Sequence, residues 1–315
     1  MNSALFDEAQ LEILQRKGMR TIESDNKRRV YAERLNRLGS TRHLVQIPNL
    51  NLLDKLSKDM PNFSEVTDFV KGEVALRKFA PAYKRPMGLT PILLQGPPGV
   101  GKTRFAMKLA EVLKVEFHEI AFATTTASFV LKGSNLQWGE GQTGRIFEIL
   151  ADCEHLNPLI LLDEVDKAIK SNYPPINVLY ELLEPSQSVR FQDEALFPLT
   201  LNASHIMFIL TANEPERIPE AILSRCRVFD IPIPGKNDIR DIAQSVYKDV
   251  IAGQPWAKRF EKKLSDEVVK KLTAMPPREM GKVIKEALGC AALKGLKAIP
   301  ADAINSVKTT KKMGF

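Results

Sequence analysis

The stretch ILLQGPPGVGKTRF, Ile92 to Phe105, limits the architectures open to this 315-residue chain more than any other. Its first residues form a short apolar run that reads as a buried strand, and Gly96, Gly99 and Gly101 then crowd into a loop. A helical pattern follows from Lys102 to Leu113. A strand passing through a glycine-rich loop into a helix opens a parallel βα unit, so an α/β core is expected. The eight residues Gly96, Pro97, Pro98, Gly99, Val100, Gly101, Lys102 and Thr103 fit the pattern GxxxxGK followed by Ser or Thr. Such glycines let backbone N–H groups curl around phosphates at a helix N-terminus. Lys102 has the reach for the β- and γ-phosphates, and the Thr103 hydroxyl suits Mg²⁺. A nucleoside triphosphate and Mg²⁺ are therefore the expected cofactors.

Sixty residues on, LILLDEVDK brings two carboxylates to the C-terminal end of an apolar run, where α/β sheets place ligands. Asp163 is expected to bind Mg²⁺ through water, and Glu164 to polarise an attacking water. An Asp-Glu pair after apolar residues means little by itself; beside the phosphate loop it completes a hydrolytic pattern.

Short apolar runs and helical segments alternate from Ile92 onward: ILLQ, VEFHEIA, LILLDE, HIMFILTAN and VFDIPIP as strands, with helices near residues 144–150 and 176–183. This alternation predicts parallel strands buried between helices on both faces. SVRFQDEALFPLTL, Ser188 to Leu201, alternates apolar and polar residues around an Asp-Glu turn and predicts a β-hairpin. After Pro234-Gly235 the strands stop, and helices are expected over residues 237–251, 265–274, 277–293 and 301–307. The first sixty residues read as polar and helical, over 5–19 and 25–38, with a short pattern between Pro48 and Pro61. An amphipathic helix then carries Val66, Phe69, Val70, Val74 and Leu76 on its apolar side. The expected division is an N-terminal helical extension (1–60), a large α/β nucleotide-binding domain (61–235) and a C-terminal helical lid domain (236–315).

No apolar run is long enough to span a bilayer, and the N-terminus MNSALFDEAQ lacks the basic and apolar regions of a secretory signal, so no membrane association and a cytoplasmic location are expected. Cys153, Cys226 and Cys290 are widely spaced and odd in number, which gives neither a disulfide framework nor a CxxC site. The four histidines, 43, 118, 155 and 205, are equally scattered, and no metal centre built by the protein is expected. The net charge of +7 divides into +5 over residues 1–90 (16 basic, 11 acidic), −6 over 91–235 (12 and 18) and +8 over 236–315 (17 and 9). Basic flanks suit nucleic acid or an acidic partner, but no basic run is interleaved with aromatics, and solvated helix faces are the favoured account of them.

GPPGVGKT, LLDEVDK, VLYELLEPSQSVRFQD and FILTANEPERIPEAILSRC, in this order, resemble the AAA+ ATPases and most of all the ATPase module of Lon proteases. The resemblance covers about residues 60 to 310 and implies a P-loop fold of the AAA+ type that hydrolyses ATP in a ring, a homo-hexamer by family expectation. It implies that Asn213 helps orient the lytic water, although a turn or capping residue would look the same. It implies an arginine finger reaching a neighbouring subunit, with Arg225 the aligned residue and Arg227 the alternative. Arg278 of MPPREMGK matches the lid arginine that contacts the γ-phosphate, and the apolar surface near Phe63, Val66 and Phe69 would line the adenine side. In LKGSNLQWGEGQTGRIF, Trp138 falls on the aromatic position of a loop that grips polypeptide in the central pore. Gly139 departs from the aliphatic residue expected next, and packing of Trp138 against the core remains an alternative. Nothing among these residues matches the Ser-Lys dyad domain of Lon, so no peptidase activity is expected. The implied function is remodelling or unfolding of a protein partner, or work with a separately encoded effector; the alternative is a DNA-directed factor of clamp-loader-like or branch-migration-like type, which Ser224-Arg225-Cys226 and the basic flanks also suit.

Overall fold

The computed structural model describes residues 2–16, 22–46, 48–79, 81, 87–137, 141–168, 172–273 and 275–304. The chain forms two compact units: Met1–Leu50, Phe69–Gln95 and Ala106–Asp230 make one, and Asn51–Asp68, Gly96–Phe105 and Ile231–Phe315 make the other.

The first unit is built on a five-stranded parallel sheet. Its strands are β3 (Ile92–Gln95), β4 (Phe117–Ala121), β5 (Leu159–Asp163), β6 (Met207–Ala212) and β7 (Arg227–Asp230), in the spatial order β4-β5-β6-β3-β7. The central strands carry the most continuous apolar runs because they are covered on both faces, and every residue of β6 is buried. Register is set by parallel pairing of Ile92 with Ile209 on one side and with Arg227 on the other. All five strands coincide with the apolar runs of the sequence.

Two short strands that the sequence did not announce precede the sheet: β1 (Asn2–Ala4) and β2 (Thr41–His43) pair antiparallel, Asn2 opposite His43. Strands reading NSA and TRH have no apolar alternation to betray them. The expected helices of this region appear as Glu8–Arg16 and Ile22–Asn36. Leu5, Leu11, Leu14, Ala32, Leu35 and Leu44 enter the same buried cluster as Phe147, Ile160 and Leu210. Buried Asn157 accepts from Val45 N–H at 2.8 Å and donates to the carbonyls of Val45 and Met87 at 3.0 and 2.9 Å. A side chain that satisfies three backbone groups fixes this junction more tightly than apolar contact would.

Residues 188–201 do not form the expected hairpin. Pro185–Ser188 is a helical turn, Glu194–Leu196 is a 3-10 turn, and a lone antiparallel bridge joins Phe191 to Leu201. Asp193 explains the difference. It is fully buried rather than at a solvent turn, and its carboxylate accepts from Gly144 N–H at 2.7 Å and Ala195 N–H at 2.9 Å. Burial pushes its pKa up to about 7, with the two backbone bonds opposing the rise. Because the folded value lies above the ordinary value of 3.8, the added stability is full below that value and is lost as the pH rises through about 7. The stability difference between wild type and Asp193→Asn should therefore grow by a few kcal/mol as the pH falls from about 7 to about 4, measured by urea unfolding. A difference independent of pH would contradict this.

In the second unit, helices Lys236–Ile251, Asp266–Leu272 and Pro277–Leu293 enclose a separate apolar cluster containing Tyr247, Val268, Met280 and Ile284. Ser265 caps the middle helix by accepting from Val268 N–H. Residues 301–304 begin the last expected helix; 305–307 lie outside the described residues. Residues 51–68 belong to this unit, where Phe63 stacks on Phe105 at 4.4 Å and Lys248 pairs with Asp59 at 3.6 Å.

Candidate functional site

The phosphate loop lies in the second unit. Gly96 has φ 147°, and any Cβ there would collide with the carbonyl oxygen of Ile231, so only glycine fits. Gly101 has φ 104° and its carbonyl accepts from Phe105 N–H at 2.8 Å, opening the helix Lys102–Leu113 that the sequence predicts. First-turn amides of a helix have no intrahelical acceptors, which is the basis of anion binding at such an end. Lys102 is buried and its ammonium donates to the carbonyls of Gly96 and Pro97 at 2.5 and 3.2 Å, holding the positive charge inside the curl of the loop. Asn62 Nδ2 donates to Val100 O at 3.2 Å, and Arg104 pairs with Asp249 at 2.7 Å while donating to Ser245 at 2.8 Å. The loop is thus bound to the helices of its own unit.

Arg278 begins one of those helices. A Cβ built on Gly99 would lie 3.9 Å from Arg278 Cβ, so the backbone of the loop passes directly beside this exposed arginine. Phe63 and Val66 are fully buried, and Phe63 is stacked on Phe105; these side chains serve packing and offer no surface to a base.

The acidic pair lies in the first unit, at the C-terminal end of β5. Glu164 adopts a left-handed conformation, φ 55°, which turns the chain sharply as it leaves the sheet. Thr211 on β6 organises the pair: its hydroxyl donates to Asp163 Oδ1 at 2.5 Å and accepts from Glu164 N–H at 2.8 Å. Asp166 then accepts from the N–H groups of Asn213 and Glu214 at 3.2 and 3.0 Å, pinning the turn that carries Asn213. Glu164 pairs with Lys167 at 2.5 Å. Burial and then the charge of Asp163 raise the pKa of Glu119 on β4, a third carboxylate near the pair. Sequence reading missed Thr211 and Asp166 because their roles depend on parallel pairing of β5 with β6, which no spacing encodes. Thr211→Val keeps shape and removes both bonds, so kcat for ATP should fall by about tenfold with ATP affinity retained, in steady-state assays with a nucleotide-binding titration alongside.

Arg225 follows helix Glu220–Leu223, half-buried, and its Nε lies 3.7 Å from Glu184 Oε2. Its guanidinium sits 5.9 Å from the centre of the Tyr180 ring and faces a cavity of about 490 Å³ lined in part by Leu183, Glu184, His205 and Ser224. Arg227 is exposed at the start of β7 and lies over its own Phe229 ring at 5.4 Å. Trp138 lies outside the described residues. The Thr103 hydroxyl and the Asp163 carboxylate, the latter held by Thr211, are each hard oxygen donors of the type magnesium takes.

A family model for AAA, the ATPase family associated with various cellular activities, matches residues 92–233. Residues 92–233 are an AAA domain. Lon protease 1 of Borreliella burgdorferi is 35% identical over 181 residues, 57% of this chain and 22% of that protein. Lon protease 2 of Bdellovibrio bacteriovorus is 29% identical over 259 residues, 80% of this chain and 31% of that protein. The chain therefore spans about a fifth to a third of the length of the Lon proteins it matches, and its likeness is to their ATPase region. Among solved structures, the S. cerevisiae Hsp104:casein complex superposes with TM-score 0.61 at 17% identity, covering 79% of this chain and 48% of that one. A Thermotoga maritima RuvB mutant gives 0.50 at 13% identity, covering 78% and 70%. At such identities these two matches establish the AAA-type fold alone. No described helix is long and apolar enough to cross a membrane.

Proposed function

We propose that this AAA module hydrolyses ATP in a ring of like subunits, a homo-hexamer, and uses the cycle to remodel or unfold a protein partner in the cytoplasm. The observation that carries the hydrolytic reading is the organised acidic pair: Thr211 fixes both Asp163 and the backbone of Glu164, an arrangement that simple nucleotide binding does not require. Gly96 to Thr103 would hold the phosphates, with Lys102 countering the charge of the β- and γ-phosphates and Thr103 and Asp163 holding magnesium. Magnesium held there would supply Lewis-acid charge neutralisation for the triphosphate. Glu164 would orient water and accept its proton, Asn213 would position that water, and Arg225 would complete a neighbouring subunit's centre. Arg278, beside the loop, would register the γ-phosphate and move the helical domain of residues 236–315 when it leaves. Trp138 would grip the client. Residues 1–60 would serve as a recruiting extension.

The protein reading is favoured by likeness to Lon over 80% of the chain, while the basic flanks favour DNA as the second reading. The test measures ATP turnover with a loosely folded protein such as casein, and separately with duplex and single-stranded DNA at several salt concentrations. Stimulation by casein that Trp138→Ala abolishes, with basal turnover retained, is the expected result. Stimulation by DNA alone, falling steeply with salt, would replace the protein reading with the DNA one.

A further inference from the structure

Glu116 and His118 stand at the start of β4, and Cys153 and His155 stand where the helix Arg145–Asp152 hands the chain on to β5. Parallel pairing, Phe117 opposite Leu159, brings these two places together although they are more than thirty residues apart in sequence. His118 Nε2 lies 3.1 Å from Cys153 Sγ, and His155 Nδ1 lies 3.6 Å from Glu116 Oε1. Ligand atoms of Glu116, His118 and Cys153 all fall within 4.8 Å of one another, and Glu116 belongs equally to a second such group with Glu154 and His155. Glu116 is the hub. Its Oε1 accepts from Glu154 N–H at 3.0 Å, whereas its Oε2 is buried with no hydrogen-bond partner. A buried carboxylate oxygen left unsatisfied is unfavourable, and a cation would satisfy it.

A thiol, an imidazole and a carboxylate, the donors of Cys153, His118 and Glu116, are ligand types zinc selects. Tetrahedral zinc bonds of about 2.3 Å to sulfur and about 2.0 Å to nitrogen separate those two atoms by about 3.6 Å, so the His118–Cys153 pair needs to open by about half an ångström. We propose that Glu116, His118 and Cys153 hold a zinc ion, with water in the fourth position, and so tie the start of β4 to the entry of β5.

The surroundings support this assignment. Cys153 is buried, away from the solvent access that a nucleophilic cysteine needs. Zinc would replace the thiol proton, forming the Zn–S bond while the proton passes to solvent, with no change of oxidation state. Arg42 donates from its guanidinium to the carbonyls of Leu150 and Cys153, and its charge favours the thiolate. The thiolate and the Glu116 carboxylate together neutralise the ion. Because Arg42 belongs to β2, the site also bears on how the N-terminal segment is held.

The test uses the full chain, stripped with chelator and titrated with Co²⁺ and then Zn²⁺. One equivalent of Co²⁺ should give a thiolate-to-cobalt charge-transfer band and the intense visible bands of a four-coordinate ion; Zn²⁺ should displace it and raise Tm. Cys153→Ser should remove the charge-transfer band, and His118→Gln should weaken zinc binding by about tenfold or more. His205→Gln, at an imidazole that contacts Ser3 instead, should change neither. Weak six-coordinate cobalt bands without charge transfer in the wild type, which need no variant to observe, would overturn the assignment. So would Cys153→Ser or His118→Gln binding zinc as tightly as the wild type.

Discussion

Glu164→Gln should bind ATP as tightly as the wild type and release phosphate about 100-fold more slowly, or slower still. The substitution keeps the size of the side chain and the backbone N–H that Thr211 accepts, so the turn after β5 survives. It removes the carboxylate that would take the proton from water. It also replaces one partner of the Lys167 ion pair by a neutral amide. Both side chains of that pair are substantially exposed, so its loss contributes little to folding. The measurement is single-turnover phosphate release beside a fluorescent-nucleotide titration. A variant that lost nucleotide affinity in parallel with turnover would mean that Glu164 shapes the pocket and takes no part in the chemistry. In cells the same variant should retain its client, since binding persists while the cycle stops.

Arg225→Ala should lower turnover by about 1000-fold in the assembled protein and leave nucleotide binding intact. Within its own chain Arg225 rests against Glu184 and Tyr180, contacts that a half-buried surface arginine makes at modest gain. A large catalytic loss with unchanged thermal stability would separate the role of a finger from that of a local ion pair. The parallel variant Arg227→Ala removes a cation–π contact with Phe229 and should change turnover by less than about threefold. Reversal of that order would move the finger to Arg227.

The sequence was most readable where one physical signal dominates a segment. Continuous apolar runs marked β5 and β6 because both faces of those strands are covered, and the phosphate loop fixed the helix Lys102–Leu113 to the residue. Alternation misled at residues 188–201, where Asp193 points into the core to hold Gly144 and Ala195 instead of capping a solvent turn. The pairing of β1 with β2 left no pattern because three-residue strands are too short to show one. Within the site, loop and acidic residues were legible as motifs, but Thr211 and Asp166 act across strands and were not. The cluster of Glu116, His118 and Cys153 shows the same limit: spacing finds ligands that are neighbours in sequence, and parallel pairing makes neighbours of residues that are not.

The most direct measurement mixes two inactive proteins. On the proposed roles, Arg225→Ala subunits would keep a complete Glu164 centre but lack the finger, and Glu164→Gln subunits would lack the base but keep the finger. If each centre is completed by the next copy, rings assembled from both should release phosphate at a substantial fraction of the wild-type rate, greatest near equal proportions. Activity that never exceeds the sum of the two separate proteins, under conditions where mixed assembly is verified, would contradict a reaction shared between neighbouring subunits.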